Sequence, residues 1–258
     1  MSASDLISPI TGTSGPVHLP AAEDWMQGRT LYGGASTLLA YTAAKREYPD
    51  LPPLRSAQVA FVAPVGDTVE PRIEMIREGR NVTQLRSELL VDGKPALSAF
   101  FVFGTEREPN AVHPAPKADP WPGAPEDAEK VPEPKGKHFI SNYELRRAQD
   151  TSGPGEPVVR RWFRPKTDHG LDPISLLILI GDTLPPGAMR AMQRQGPLSS
   201  INWMFNILEP EPTTRDGWWL AETASDHAGH GYSSERLRLW NADGELVMVG
   251  MQAAAIFG

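Results

Sequence analysis

The sequence predicts an α+β protein built from two copies of one unit, each combining a helix with an antiparallel sheet. Three observations carry this. An Asp-Gly pair between two strand-like runs occurs twice, at Asp92-Gly93 and Asp243-Gly244, 151 positions apart. Such a pair is a strong hairpin signal, because both residues of a tight turn must accept positive φ. Around each pair the chain keeps one order: a helix, then strands, then the hairpin, then a final apolar strand. The spacing is too long for a solenoid repeat and suits a duplicated domain.

The first unit is assigned to residues 1–104. Residues 1 to about 23 carry little pattern and read as a lead-in. Gly28-Arg29-Thr30-Leu31-Tyr32-Gly33-Gly34 then opens a helical run, in which Ala35, Leu38, Leu39, Thr42 and Arg46 recur at helical spacing. Glycines just ahead of a helix permit close backbone approach and leave free N–H groups. Gly33 and Gly34 are therefore candidate donors to a carbonyl or phosphate oxygen, or else a place where helix and sheet pack closely. After Pro52-Pro53 the runs 56–64, 69–77 and 83–91 read as strands, and the Asp92-Gly93 turn leads into 95–103, apolar on both faces. Loss of alternation is what a strand covered on both sides shows.

From Thr105 to Lys137 the composition turns to Pro, Glu, Ala and Lys, with prolines at 109, 114, 116, 120, 122, 125, 132 and 134. Proline cannot donate to a ladder, so residues 105–137 are expected to be an extended linker. The second unit, 138–258, opens with strand-like runs at 139–148 and 158–164. Asp172-Pro173 starts its helix with a capping side chain and proline at the first helical position. The almost wholly apolar run 174–183 ends at Pro185-Pro186. Strands at 200–208, 218–224, 231–240 and 246–257 follow, with a glycine-rich turn expected over 226–231.

Composition excludes several classes. Forty per cent hydrophobic and 22% charged residues are ordinary for a soluble globular chain, and no apolar run reaches the roughly 18 residues of a membrane span. The first residues lack the basic and apolar regions of a secretory signal, so a cytoplasmic protein is expected. With no cysteine there is no disulfide, thiolate ligand or thiol nucleophile. A formal charge of −7 argues against broad nucleic-acid binding. Arg160, Arg161, Arg164 and Lys166 form a local basic cluster suited to phosphates on a small ligand or to a solvated strand end. His227 and His230 lack a third donor at ligand spacing, and no metal or other cofactor is expected.

The order and spacing of Arg29-Thr30-Leu31-Tyr32-Gly33-Gly34, Arg77-Glu78-Gly79-Arg80, Arg161-Trp162-Phe163-Arg164, Ser200-Ile201-Asn202-Trp203 and Asp243-Gly244 with Gln252 resemble the two-domain acyl-CoA thioesterases of the TesB type. The resemblance implies a double hotdog, two antiparallel sheets each wrapped around a central helix and fused as a pseudo-dimer, with 34–48 and 173–184 as the helices. It further implies acyl-CoA or a related acyl thioester as partner, a place in fatty acid metabolism and pairing into a homo-oligomer.

It also implies a hydrolytic trio in the second half: an aspartate at the start of the strand after the helix, a hydroxyl in the next strand, and a glutamine in the last. Hydrolysis of a thioester needs a positioned water, a base and donors for the oxyanion. Carried over, the glutamine falls on Gln252, the aspartate on Asn202, and the hydroxyl on or near Asp226, with Thr223 and Ser225 close by. An amide cannot act as base. Either Asp226 is the base and Asn202 orients the water, or hydrolysis is lost and an acyl-thioester binding cavity remains. Asp182, late in the second helix, matches an acidic residue the family often carries there, and a carboxylate on an apolar helix wants a partner. A third reading is a hydratase, with Asp168-His169 and Asp172 near the start of the helix. Position 101, the counterpart of Gln252, is Phe101, which places the candidate site in the second half.

Overall fold

The computed structural model describes residues 1–150, 155–194 and 196–257. Among these residues, three α-helices, α1 (Ala3–Ile7), α2 (Gly33–Glu47) and α3 (Pro173–Ile180), accompany thirteen strands. In the first half these are β1 (Val17–His18), β2 (Met26–Gln27), β3 (Thr30–Leu31), β4 (Leu54–Phe61), β5 (Thr68–Glu78), β6 (Val82–Val91) and β7 (Lys94–Gly104). In the second they are β8 (Tyr143–Arg147), β9 (Val158–Pro165), β10 (Leu198–Ile207), β11 (Trp219–Gly229), β12 (Tyr232–Asn241) and β13 (Leu246–Ile256).

Eleven strands form one antiparallel sheet in the order β1-β5-β6-β7-β4-β10-β13-β12-β11-β9-β8, while β2 and β3 make a small separate ribbon. The halves join where β4 pairs with β10, Val59 opposite Trp203. Reading outward from that seam, β4-β7-β6-β5 on one side repeats as β10-β13-β12-β11 on the other. Each half holds its own helix, and α2 and α3 pack on one another. This is the double-hotdog architecture.

Both helices form for local reasons and survive for tertiary ones. Lys45 and Arg46 stand in the last turn of α2, where cations meet the negative end of the helix dipole. Every residue from Gly34 to Ala44 is buried, so the helix is enclosed rather than presenting one apolar stripe. In α3 the Asp172 carboxylate accepts from Ser175 N at 3.0 Å, with Pro173 in the first turn. The helix stops at Ile180, earlier than its apolar run suggests. Thr183 Oγ1 turns back to the Ile180 carbonyl, and the α conformation is disfavoured ahead of Pro185.

Four features depart from the expected elements. The lead-in is ordered: α1 begins with a capping box of Ser2 and Asp5, and Ala3, Leu6 and Ile10 are fully buried. A five-residue helix is too short to show periodicity. The turn expected over 226–231 is confined to His230 and Gly231, both at positive φ (54° and 82°), so β11 continues to Gly229. At the first Asp-Gly turn both residues have positive φ (51° and 73°), but at the second only Gly244 does (89°). There Asn241 Oδ1 accepts from both Asp243 N and Glu245 N and supplies the turn. Finally, residues of the proline-rich stretch lie on the outer face of the second half of the sheet. Trp121 meets Trp162 edge-on at 5.3 Å, and Trp240 Nε1 donates to Pro116 O at 3.4 Å. Ala118, Trp162, Trp218, Leu220 and Trp240 make a second buried cluster outside the main core.

Candidate active site

The site begins where the N-terminus of α2 meets the C-terminus of α3. A Cβ on Gly33 would lie 2.1 Å from Asp182 Oδ2 and 2.7 Å from Phe61 Cζ; one on Gly34 would lie 2.2 Å from the Leu179 carbonyl oxygen. No side chain fits at either position, which is the physical content of the Gly-Gly pair. Tyr32, at the N-cap of α2, sends its hydroxyl across the junction. It donates to Leu179 O at 2.5 Å and lies 2.9 Å from the Tyr143 hydroxyl. One of the unpaired carbonyls at the end of α3 is thereby satisfied.

Asp182 follows directly. Gln252 Nε2 donates to its Oδ1 at 2.9 Å. Gln252 is buried on β13, opposite Trp203 of β10 and Glu235 of β12, and its amide needs a partner there. Burial raises the Asp182 pKa to about 7, with the Gln252 hydrogen bond pulling the other way. This carboxyl lines a cavity of about 910 Å³ that runs between the halves, together with Gly33, Ser36, Phe61, Thr183 and Ser200.

The expected trio is not assembled. Gln252 faces inward, but Asp226 lies on the opposite, solvent face of the sheet, where its Oδ1 accepts from Arg236 Nε at 2.7 Å and both side chains are exposed. Asn202 also points outward, and its Oδ1 accepts from Ala253 N at 2.9 Å, closing the irregularity in the β10–β13 ladder. Thr223 Oγ1 donates to Pro185 O at 2.6 Å and Ser225 Oγ to His227 O at 3.2 Å, so neither hydroxyl completes the group. Of the residues singled out in the sequence, Gly33, Asp182 and Gln252 come together, Gly34 makes the helix junction behind them, and Asp226 and Asn202 stand outside. The acidic partner of Gln252 is Asp182. Asp226→Ala is accordingly expected to leave folding stability and any activity of the cavity nearly unchanged, since the side chain makes only an exposed ion pair and does not line the cavity. A hundredfold loss would return Asp226 to the site.

Ser200 was missed by sequence reasoning. Strand periodicity counted back from inward Trp203 puts Ile201 inside. The bulge between Ser200 and Asn202 instead sends Ile201 out, 41% exposed, and sets Ser200 opposite buried Ala254 on the inner face. Its hydroxyl makes no hydrogen bond among the described residues. The hydratase residues are all engaged elsewhere: Asp172 caps α3, His169 Nδ1 accepts from Ala3 N at 3.4 Å, and Asp168 Oδ1 accepts from Gly170 N at 2.8 Å. None of them lines the cavity.

Fold and site together define a fused pair of hotdog units with one carboxyl-bearing cavity at their junction. Residues 21–104 match the acyl-CoA thioesterase N-terminal domain and residues 110–256 the acyl-CoA thioesterase C-terminal domain. The chain belongs to the acyl-CoA thioesterase family. Solved structures resemble it over nearly the whole length. A hotdog-fold protein of unknown function from Alicyclobacillus acidocaldarius is 20% identical with TM-score 0.87, covering 100% of this chain and 99% of its own. The tesB protein of Mycobacterium avium subs paratuberculosis is 19% identical with TM-score 0.77 and full coverage of both chains. Acyl-CoA thioesterase II from Mycobacterium marinum is 20% identical with TM-score 0.70, covering 88% and 91%. At these identities the likeness is one of fold. No curated protein matches the chain.

Proposed function

We propose that this protein hydrolyses an acyl-CoA thioester to the free acid and CoA, with Asp182 as general base and without a covalent intermediate. The observation that carries the reading is the carboxyl of Asp182 at the cavity wall, held by Gln252 and poised near neutral pH. A base is most effective with a pKa near the working pH.

The chemistry follows from the groups present. Ionised Asp182 accepts a proton from a water held between it and the Ser200 hydroxyl. The oxygen of that water attacks the thioester carbonyl carbon, and negative charge develops on the carbonyl oxygen. The first-turn N–H groups of α2 have no side-chain cap and stand beside Asp182 at Gly33, ready to donate to that oxygen. Collapse of the tetrahedral intermediate breaks the carbon–sulfur bond, and the departing thiolate takes the proton from Asp182. The Gln252 amide holds the carboxylate in place and favours its charged form.

The rival reading, an acyl-thioester binding protein without hydrolysis, rests on Asn202; its side chain accepts from Ala253 N on the outer face, and this supports the hydrolytic reading over that one. The test is free-thiol release from a panel of acyl-CoAs of increasing chain length. Turnover in wild type supports the reading, and its absence across the panel alongside measurable binding overturns it. In Gln252→Ala the rate is expected to fall by about 10- to 100-fold and the pH midpoint to move up, because a hydrogen bond that favours the carboxylate has been removed. An unmoved midpoint would separate Gln252 from Asp182.

A further inference from the structure

The basic cluster on β9 is not absorbed by this mechanism, and the structure divides it. Arg160 pairs with Glu222, Arg164 with Glu144 at 2.9 Å and Lys166 with Glu133 at 2.6 Å. Arg161 has no carboxylate partner among the described residues; its Nη1 donates only to the carbonyl of Arg160, at 2.8 Å. It lies on the inner face between Val159 and Phe163, both in the core, and lines the same cavity as Asp182 beside Leu145, Val159 and Met189. A guanidinium in an apolar wall without a counter-ion is costly. Burial first, and then the nearby charges of Arg147 and Arg190, disfavour its protonated form. An arriving anion would relieve that cost.

The position separates Arg161 from the chemistry. Gln252 on β13 and Arg161 on β9 are three strand spacings apart in the order β13-β12-β11-β9, roughly 14 Å measured across the sheet. The cavity's other arginine, Arg29, is exposed. We propose that Arg161 receives an anionic oxygen group of the substrate at a distance from the scissile thioester, so that the protein selects acyl thioesters bearing such a group. The apolar surroundings make a carboxylate carried by the acyl moiety the expected source; a CoA phosphate would meet the same fork of donors.

This inference rests on the cavity being the acyl-thioester site, and the test reads binding so that it stands apart from turnover. Non-hydrolysable thioether analogues of octanoyl-CoA, of suberyl-CoA, which adds a terminal carboxylate, and of octanoyl-pantetheine, which lacks the phosphates, are titrated by calorimetry into wild type, Arg161→Lys and Arg161→Met. The expected result is that Arg161→Met weakens the suberyl analogue by about 10-fold or more, the scale of a charge-assisted hydrogen bond, and the octanoyl analogues little, with Arg161→Lys between. Equal weakening of both CoA analogues with octanoyl-pantetheine unaffected supports the anion site and assigns it to a phosphate. Unchanged affinities in Arg161→Met, or the same loss for the pantetheine analogue, would overturn the proposal. Persistence of the charge-dependent pattern in a protein that releases no thiol would sink the hydrolase reading alone.

Discussion

Asp182→Asn is expected to lower thioester hydrolysis by about 10²–10⁴-fold, the range removed with a general base, while the protein stays folded. The replacement keeps the shape and a hydrogen-bonding oxygen toward Gln252 and removes only the capacity to take a proton. The pH profile gives a second readout. Because burial raises the Asp182 pKa to about 7, wild-type kcat/KM should rise through neutral pH to a plateau, and Asp182→Asn should lose that limb. Stability moves the other way. The folded state holds the proton more tightly than the unfolded chain, so the contribution from Asp182 is fully present below about pH 4 and is lost as pH rises through about 7. Above neutrality the variant is therefore expected to be more stable than wild type by an amount on the order of a few kcal/mol. Denaturant unfolding at about pH 5 and about pH 9 measures this difference. A variant with wild-type rate would remove Asp182 from the mechanism.

Gly34→Ala should destabilise the protein, against the usual gain from replacing glycine inside a helix. The added methyl would sit 2.2 Å from the Leu179 carbonyl oxygen and 2.7 Å from Tyr32 Cε2. Leu179 O is backbone and also accepts the Tyr32 hydroxyl, so the clash is not relieved by turning a side chain. Overpacking of this kind costs about 1–3 kcal/mol. Since Asp182 lies three residues beyond Leu179, the same shift would displace the carboxyl, and thiol release should fall with stability. Urea midpoints of wild type and variant test the sign. A variant as stable as wild type would show that the two helices are not pressed together at Gly34.

Much of the fold was legible because it is written in local terms. Asp172-Pro173 cap α3 by side chain and ring geometry, and the repeated Asp-Gly turns, with the elements around them, announced the duplication. The site was legible only in part. Gln252 stood out as a polar residue in an apolar strand, and Asp182 as an acid late in an apolar helix, yet nothing in their spacing says that they touch. Asp226 was drawn in by counting back from the Asp243-Gly244 turn, and the chain gives no sign that its side chain turns to solvent and Arg236. Ser200 was hidden by a bulge that reverses the face its neighbours predict.

The sequence by itself determined the duplicated units, their helices and hairpins, and the restriction of the polar position to the second copy, with Phe101 standing where Gln252 has its counterpart. These depend on capping, turn chemistry and apolar patterning over a few residues at a time. Only the tertiary structure decided which carboxylate meets Gln252 and which arginine of the β9 cluster has no counter-ion among the described residues. Those facts depend on which face of a strand a residue occupies and on how closely two helix ends approach. A single bulge or a missing Cβ settles both, and neither can be read from the spacing of residues along the chain.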